Sequence, residues 1–303
     1  MSELKKTAKD LNLIYDVGMH RGQDTDFYLK KGYRVIAFEA DPANAEFCRG
    51  RFTREIAEGR LEIVEGAIAE NISSNGHPAE VKFYQNIDHS LWSSTSEEWA
   101  ARNEVLGTLN EVIRVPAVDF VQCLEKYGIP HYLKADIVGS ETICLRALLN
   151  FENKPDYLSI RSEKLVFRKL EYEFELLEQL GYSGFKAVKQ DFENVRSKLP
   201  SKNGLKLYEF EEGASGPFGE ETAGSWKSSK RVLSDYRRIF VRYWLFGDYS
   251  YLMQTQSGKR LIANLERLCR RSIPGWFDTH ARFGLFSALF GYLTHLGEYS
   301  AWV

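Results

Sequence analysis

Apolar positions fall in short blocks along the first two thirds of the chain, and the blocks alternate between two periodicities. Leu11 to Val17 (LNLIYDV) is an apolar run that stops at a glycine-containing turn. Asp24 to Lys31 reads as a helix with Phe27, Tyr28 and Lys31 along one covered side. Arg34 to Phe38 is β-branched and aromatic and is followed by Glu39. Pro42 suits the first position of a helix that the pattern continues to about Glu58, and Leu61 to Val64 is a third short strand. This rhythm of strand and helix signals βαβ units, and the near-continuous apolar character of the strands fits a parallel sheet buried on both faces.

Further along, Val81 to Tyr84 and Val112 to Val115 are strand-like and flank a polar loop. Tyr132 to Ile137 and Tyr157 to Ile160 resume the strand rhythm around a helix from Ser140 to Leu149. The helical stretch Lys169 to Leu180 ends at Gly181, and strand-like Phe185 to Val188 and Leu207 to Phe210 follow. Composition then changes sharply in the glycine-rich Glu211 to Trp226, and Ser229 to Leu245 and Arg260 to Arg271 look helical. We therefore expect a Rossmann-like domain over residues 1–210. A glycine-rich loop and a helical extension packed on it should occupy 211–303. The apolar stretch Gly284 to Val303 contains His295, Glu298 and internal glycines, which favours a packed terminal helix over a stable membrane span.

Net charge of −2 and a pI of about 6.4 leave no basic footprint for nucleic acid. MSELKKTAKD has no apolar run after its lysines, and Cys48, Cys123, Cys144 and Cys269 form no C-x-x-C pair. These features predict a cytoplasmic protein without a zinc or redox motif, and no metal site is expected.

The sharpest chemical signal is D-V-G-M-H-R-G-Q-D-T, Asp16 to Thr25, at the end of the first strand. Its spacing is not G-x-G-x-x-G, which disfavours an NAD-dependent dehydrogenase. Gly18 and Gly22 permit a tight turn and close approach of a ligand to the backbone. A ligand of methionine type has an ammonium for Asp16 and a carboxylate for Arg21 or nearby N–H groups. Glu39, followed by Ala40, stands where an acidic residue binds ribose hydroxyls, and the small residues Gly66 and Ala67 end the third strand beside an adenine slot. Each piece alone is equally at home in a plain turn or strand end. Together, and in order, they describe a site for S-adenosylmethionine. Asp136, His89 and Lys134 are the candidates to receive a proton from an acceptor, and Asp136 also faces the methionine end of the cofactor. His280 and the glycine-rich loop are candidates to close over the pocket. Lys230-Arg231 and Arg270-Arg271 read as solvated helix faces.

The stretches YDVGMHRGQDTDFYLKKGYRVIAFEADP, SLWSSTSEEWAARN and YLKADIVGSETICLRALLNFENKPDYLSI resemble the FkbM family of S-adenosylmethionine-dependent methyltransferases. The later GASGPFGEETAGSW and GWFDTHA resemble the tail of some longer members, so the likeness runs from about Ile14 to Ala281. It implies the class I methyltransferase fold, a seven-stranded α/β sheet with helices on both faces, and methyl transfer, usually to a hydroxyl oxygen. The implied partner is a small-molecule acceptor such as a sugar or secondary metabolite, with a second copy of the chain at most. Three positions depart from the family's usual pattern. Val138 replaces the glutamate of D-x-E-G, Arg161 replaces the glutamate of S-I-E, and Ser93 stands where glycine is usual. An Arg161 cation about 6 Å from the donor sulfonium, at an effective dielectric of about 20, would oppose it by roughly 3 kcal/mol unless Asp136 pairs with it. These departures keep open a second reading, a catalytically degenerate homologue that binds the cofactor in a binding or regulatory role.

Overall fold

The apolar blocks become strands of one sheet. In the computed structural model the described residues are 3–70, 79–190, 196–201, 204–247, 250–253, 255–269, 273 and 275–284. In chain order the elements begin β1 (Lys9–Val17), α1 (Gln23–Lys30), β2 (Arg34–Glu39), α2 (Pro42–Arg51), α3 (Thr53–Ala57) and β3 (Leu61–Glu65). They continue with β4 (Ala67–Ile68), β5 (Glu80–Asn86), α4 (Glu97–Val105), β6 (Asn110–Val118), α5 (Phe120–Tyr127) and β7 (Ile129–Ala135). Next come α6 (Glu141–Leu148), β8 (Tyr157–Arg161), α7 (Phe167–Gln179), β9 (Tyr182–Gln190), β10 (Arg196–Ser201) and β11 (Gly204–Glu209). The series ends with α8 (Ser229–Phe246), α9 (Gln256–Cys269) and β12 (Trp276–Phe283).

The main sheet has seven strands in the order β3-β2-β1-β7-β8-β12-β9. The pairs among β3, β2, β1, β7 and β8 are parallel, and β12 runs antiparallel to both of its neighbours. This order, with one reversed strand inserted next to the edge, is the class I methyltransferase fold. Strand alternation divides the core between the two faces. Leu13, Tyr15 and Val17 of β1 join one apolar cluster with residues of α5, α6, α7 and α8, whereas Ile14 joins another with α1 and Tyr132.

Two expectations change. The helix expected from Pro42 to about Glu58 breaks at Phe52, whose backbone leaves the helical region (φ −112°, ψ 28°). Its ring is buried against Gly22, where a Cβ would lie 2.3 Å from the ring edge. The second correction concerns the segment beyond residue 210, which is not purely a helical extension. Trp276–Phe283 returns to the sheet between β8 and β9, pairing Asp278 with Arg161 and with Val188. The polar residues Asp278, Thr279 and His280, all buried, hid this strand from the apolar pattern. The terminal helix expected over 284–303 lies almost wholly outside the described residues.

The glycine-rich loop is clamped to the sheet. Asp24 accepts hydrogen bonds from the Ser215 N–H at 2.9 Å and the Gly216 N–H at 3.3 Å. Phe218 stacks on Tyr132 with ring centroids 4.2 Å apart and planes within 4°. Lys186 Nζ donates to the Thr222 carbonyl at 3.0 Å. The loop covers a sheet face as a helix would elsewhere, a role that its composition concealed.

Candidate active site

The strand ends of β1, β2 and β3 build one end of a cleft. Gly18 has φ +84°, and a Cβ there would lie 2.2 Å from the Asp136 carbonyl oxygen. A side chain is therefore excluded where the β1 turn passes the end of β7. The N–H groups of Gly18 and Met19 both donate to the Phe38 carbonyl, at 3.0 and 3.1 Å, which locks the turn to β2. Gly66 is a second such point, with φ +138° and a virtual Cβ 2.6 Å from the Pro116 carbonyl oxygen.

Glu39 closes β2 with a carboxylate held from two sides. It accepts from the His20 N–H at 2.7 Å and the Asp41 N–H at 2.8 Å. Burial pushes its pKa up to about 7 against the pull of those two donors. Each oxygen keeps a lone pair for a hydroxyl donor. His20 itself has φ 50°, an uncommon conformation for a residue with a side chain. Its Nε2 lies 2.8 Å from the Ser90 hydroxyl, and burial lowers its pKa.

The cleft is lined by Gly18, His20, Glu39, Ala40, Gly66 and Ala67 at this end, with Phe38, Ile68 and Phe83 forming an apolar slot. Ser90, Leu91, Ser93, Ser94 and Thr95 also line it, and Asp136, Ile137, Val138 and Arg161 form the other end. Together these residues enclose a cleft that opens to solvent, with about 720 Å³ of unfilled space counted out to its mouth.

Beneath the floor lies a buried charge cluster. Lys134 Nζ is 3.1 Å from Asp16, 3.2 Å from Asp24 and 4.0 Å from Asp136. Burial alone would depress the lysine, yet the surrounding carboxylates outweigh it and hold the pKa well above the ordinary value. Asp16 also accepts from Thr25 Oγ1 at 2.6 Å. Asp16 and Lys134 thus brace the turn and the strand ends from below and do not line the cleft.

At the far end Arg161 Nη1 donates to Asp136 at 3.3 Å, and the guanidinium stacks over Trp276 at 3.8 Å from its centroid. The pairing that would mask the Arg161 charge is present. A second cleft adjoins the first, sharing Val138 and Arg161, and is lined further by Trp99, Glu141, Glu173 and Trp276. Burial raises the Glu141 pKa to about 8, and its Oε2 accepts from the Gly139 N–H at 3.0 Å. Burial also holds the Glu173 and Asp278 carboxyls well above their usual range.

Six of the residues expected from sequence, Gly18, Glu39, Ala40, Gly66, Ala67 and Asp136, line the cleft together. Arg21 is placed elsewhere, with its guanidinium 5.5 Å from the Phe47 ring. Gly22 is the left-handed cap of α1 over Phe52, and His89 packs on Trp92 at the surface. His280 sits buried inside the sheet, its pKa pushed down to about 3 by burial. His20 and Glu141 were not singled out from sequence. His20 lies within the D-V-G-M-H-R-G motif, where the charged neighbour Arg21 drew the assignment. Glu141 shows no sequence signal separating it from any acidic residue in the first turn of a helix.

A family model for the methyltransferase FkbM domain matches residues 16–205. The chain belongs to the FkbM methyltransferase family. Among solved structures it is similar to the FkbM methyltransferase of Methylobacillus flagellatus, at 17% identity and TM-score 0.38, covering 59% of this chain and 40% of that one. It is also similar to a SAM-dependent methyltransferase of Archaeoglobus fulgidus, at 11% identity and TM-score 0.35, covering 90% of this chain and 87% of that one. A 61-residue stretch, 20% of this chain, is 43% identical to a probable ribosomal RNA small subunit methyltransferase A of Haloarcula marismortui. The match spans 21% of that curated relative. All the residues that line the first cleft fall inside the matched domain.

Proposed function

We propose that this methyltransferase uses S-adenosylmethionine as donor and a hydroxyl oxygen of a small molecule as acceptor. The supporting observation is a single cleft with a doubly held carboxylate, Glu39, at one end and the carboxylate of Asp136 at the other. Glu39 would accept from the ribose hydroxyls, the slot of Phe38, Ile68 and Phe83 would take the adenine, and Asp136 would receive the ammonium. When bound, the sulfonium supplies an electrophilic methyl group. The protein contributes alignment and the exclusion of water.

Val138 and Arg161 line both clefts, and in this reading the acceptor occupies the second cleft beside them. Glu141, in the lining of that second cleft, is then a candidate to take the hydroxyl proton, and burial raises its pKa to about 8, toward the range of a general base. Calorimetry with S-adenosylhomocysteine and with NAD tests the donor; binding of NAD instead overturns it. Turnover of hydroxylated acceptors tests the reaction, and Glu141→Gln should lower kcat while removing the alkaline rise in the pH profile.

Val138 and Arg161 at the shared rim of the two clefts favour one alternative, a homologue that binds the cofactor without turnover, because the two carboxylates usual in the family are absent there. Binding of S-adenosylhomocysteine without turnover of any acceptor would support it.

A further inference from the structure

Helices α8 and α9 differ in charge from the chain they belong to. The whole sequence carries a net charge of −2. Helix α8 nevertheless sets Arg237, Arg238 and Arg242, after Lys230 and Arg231, against a lone acid, Asp235. That acid pairs with Lys227, outside the helix, at 2.6 Å. Helix α9 sets Lys259, Arg260 and Arg267 against Glu266.

The same helices hold large apolar groups out in solvent. Trp244 is 78% exposed, Tyr251 in the α8–α9 connection 80% and Leu268 81%. Val241 and Leu261 are at least half exposed. The opposite sides are inside the protein, where Val232, Tyr236 and Ile239 of α8 and Ile262 of α9 are buried. On α8 the spacing Arg237, Val241, Trp244 follows one helical face, and on α9 the pairs Arg260–Leu261 and Arg267–Leu268 recur at the same face. Within each helix, apolar and cationic side chains are thus interleaved on the exposed side, and α8 adds an aromatic in Trp244.

The chemistry selects the occupant. Arginines and an indole would serve a nucleic acid, but Val241, Leu261 and Leu268 offer no hydrogen bond and no stacking face to a base. They gain from apolar cover, and the cationic side chains interleaved with them favour cover that carries phosphate. Among the described residues no helix is long and apolar enough to cross a membrane. We propose that the exposed face of α8 and α9 docks on an anionic lipid surface, with apolar side chains inserted among the head groups and guanidinium groups on lipid phosphates. The groove bounded by Val241 and Trp244 includes Leu165, two residues from Glu163 in the wall of the second cleft. Docking therefore sets that cleft beside the membrane.

Sedimentation of the full chain with phosphatidylcholine vesicles, with and without phosphatidylglycerol, tests this. Binding should favour the anionic vesicles by about tenfold or more and should fall as salt is raised. The double variant Trp244→Ser with Leu268→Ser should lose about tenfold, and Arg238→Glu with Arg242→Glu should lose at least as much. Unchanged circular dichroism and melting in both variants would show that the fold survives. Equal, negligible binding to both vesicle types overturns the proposal. So does binding to a single-stranded oligonucleotide in place of vesicles, or self-association that the same substitutions abolish while vesicles remain unbound.

Discussion

The two ends of the cleft are built on different principles. At the end formed by β1, β2 and β3, geometry is set by main chain: two glycines that admit no Cβ, and a carboxylate held by two backbone N–H groups. At the end formed by β7, β8 and β12, it is set by side chains balancing one another's charge, with Lys134 among three aspartates and Arg161 between Asp136 and Trp276. A main-chain site is fixed by the fold and tolerates change around it. A charge network depends on every member, so one substitution changes the state of the rest.

The largest effect should come from the charged end. Lys134→Met leaves Asp16 and Asp24 buried without their cation, and we expect a loss of about 3–5 kcal/mol. Thermal melting should fall by roughly 10 °C; an unchanged melting temperature would show that the cluster is not a network.

Glu39→Ala removes the carboxylate that two backbone N–H groups hold at the main-chain end. Affinity for S-adenosylhomocysteine should weaken by about 1.5–3 kcal/mol by calorimetry, with the melting temperature nearly unchanged. The pH dependence has a definite sign. Ribose hydroxyls donate to the ionised form, protonation near pH 7 competes with them, and affinity should decline as pH falls from 8 to 6. Glu39→Gln should flatten that slope.

Arg161→Gln sharpens the contrast by frustrating only the far end. The sulfonium of the donor is positive and the sulfur of S-adenosylhomocysteine is not, so removing the guanidinium should favour the donor over its product by about tenfold. Combining Val138→Glu with Arg161→Glu should move that ratio further. If the acceptor is itself an anion, the same double change should abolish acceptor binding while donor binding holds or improves.

The smallest effect should come from Arg21→Ala. The side chain is exposed over Phe47, outside the cleft, and the change in S-adenosylhomocysteine affinity should stay within about 0.5 kcal/mol.

The same contrast explains what the sequence disclosed. Glycines and an acidic strand end are local signals, because a turn that admits no Cβ shows itself in the residues of the turn; Gly18, Glu39 and Gly66 were therefore legible. The far end joins residues distant along the chain. Nothing near Arg161 announces that Trp276 will lie against it, and nothing near Asp24 announces Ser215. Helix and strand rhythm exposed most of the sheet for the same reason: apolar strands buried on both faces look alike wherever they sit. Strand β12 escaped because its centre is Asp278-Thr279-His280, three buried polar residues whose neighbours come from β8 and β9. The glycine-rich loop misled through composition, since glycine marks both a hinge and a chain lying close against a sheet.

The place of β12 also governs the order in which the molecule can assemble. Strands β8 and β9 are synthesised well before Trp276–Phe283, yet they do not pair with each other and must wait for that segment to arrive between them. Until then a nascent chain presents two unpaired strand edges, both flanked by apolar surface, which is the arrangement most prone to joining a neighbouring chain. Closure of the sheet is thus a long-range step with a high loop-closure entropy. Any shortening of the chain before residue 276 would turn that transient exposure into a permanent one.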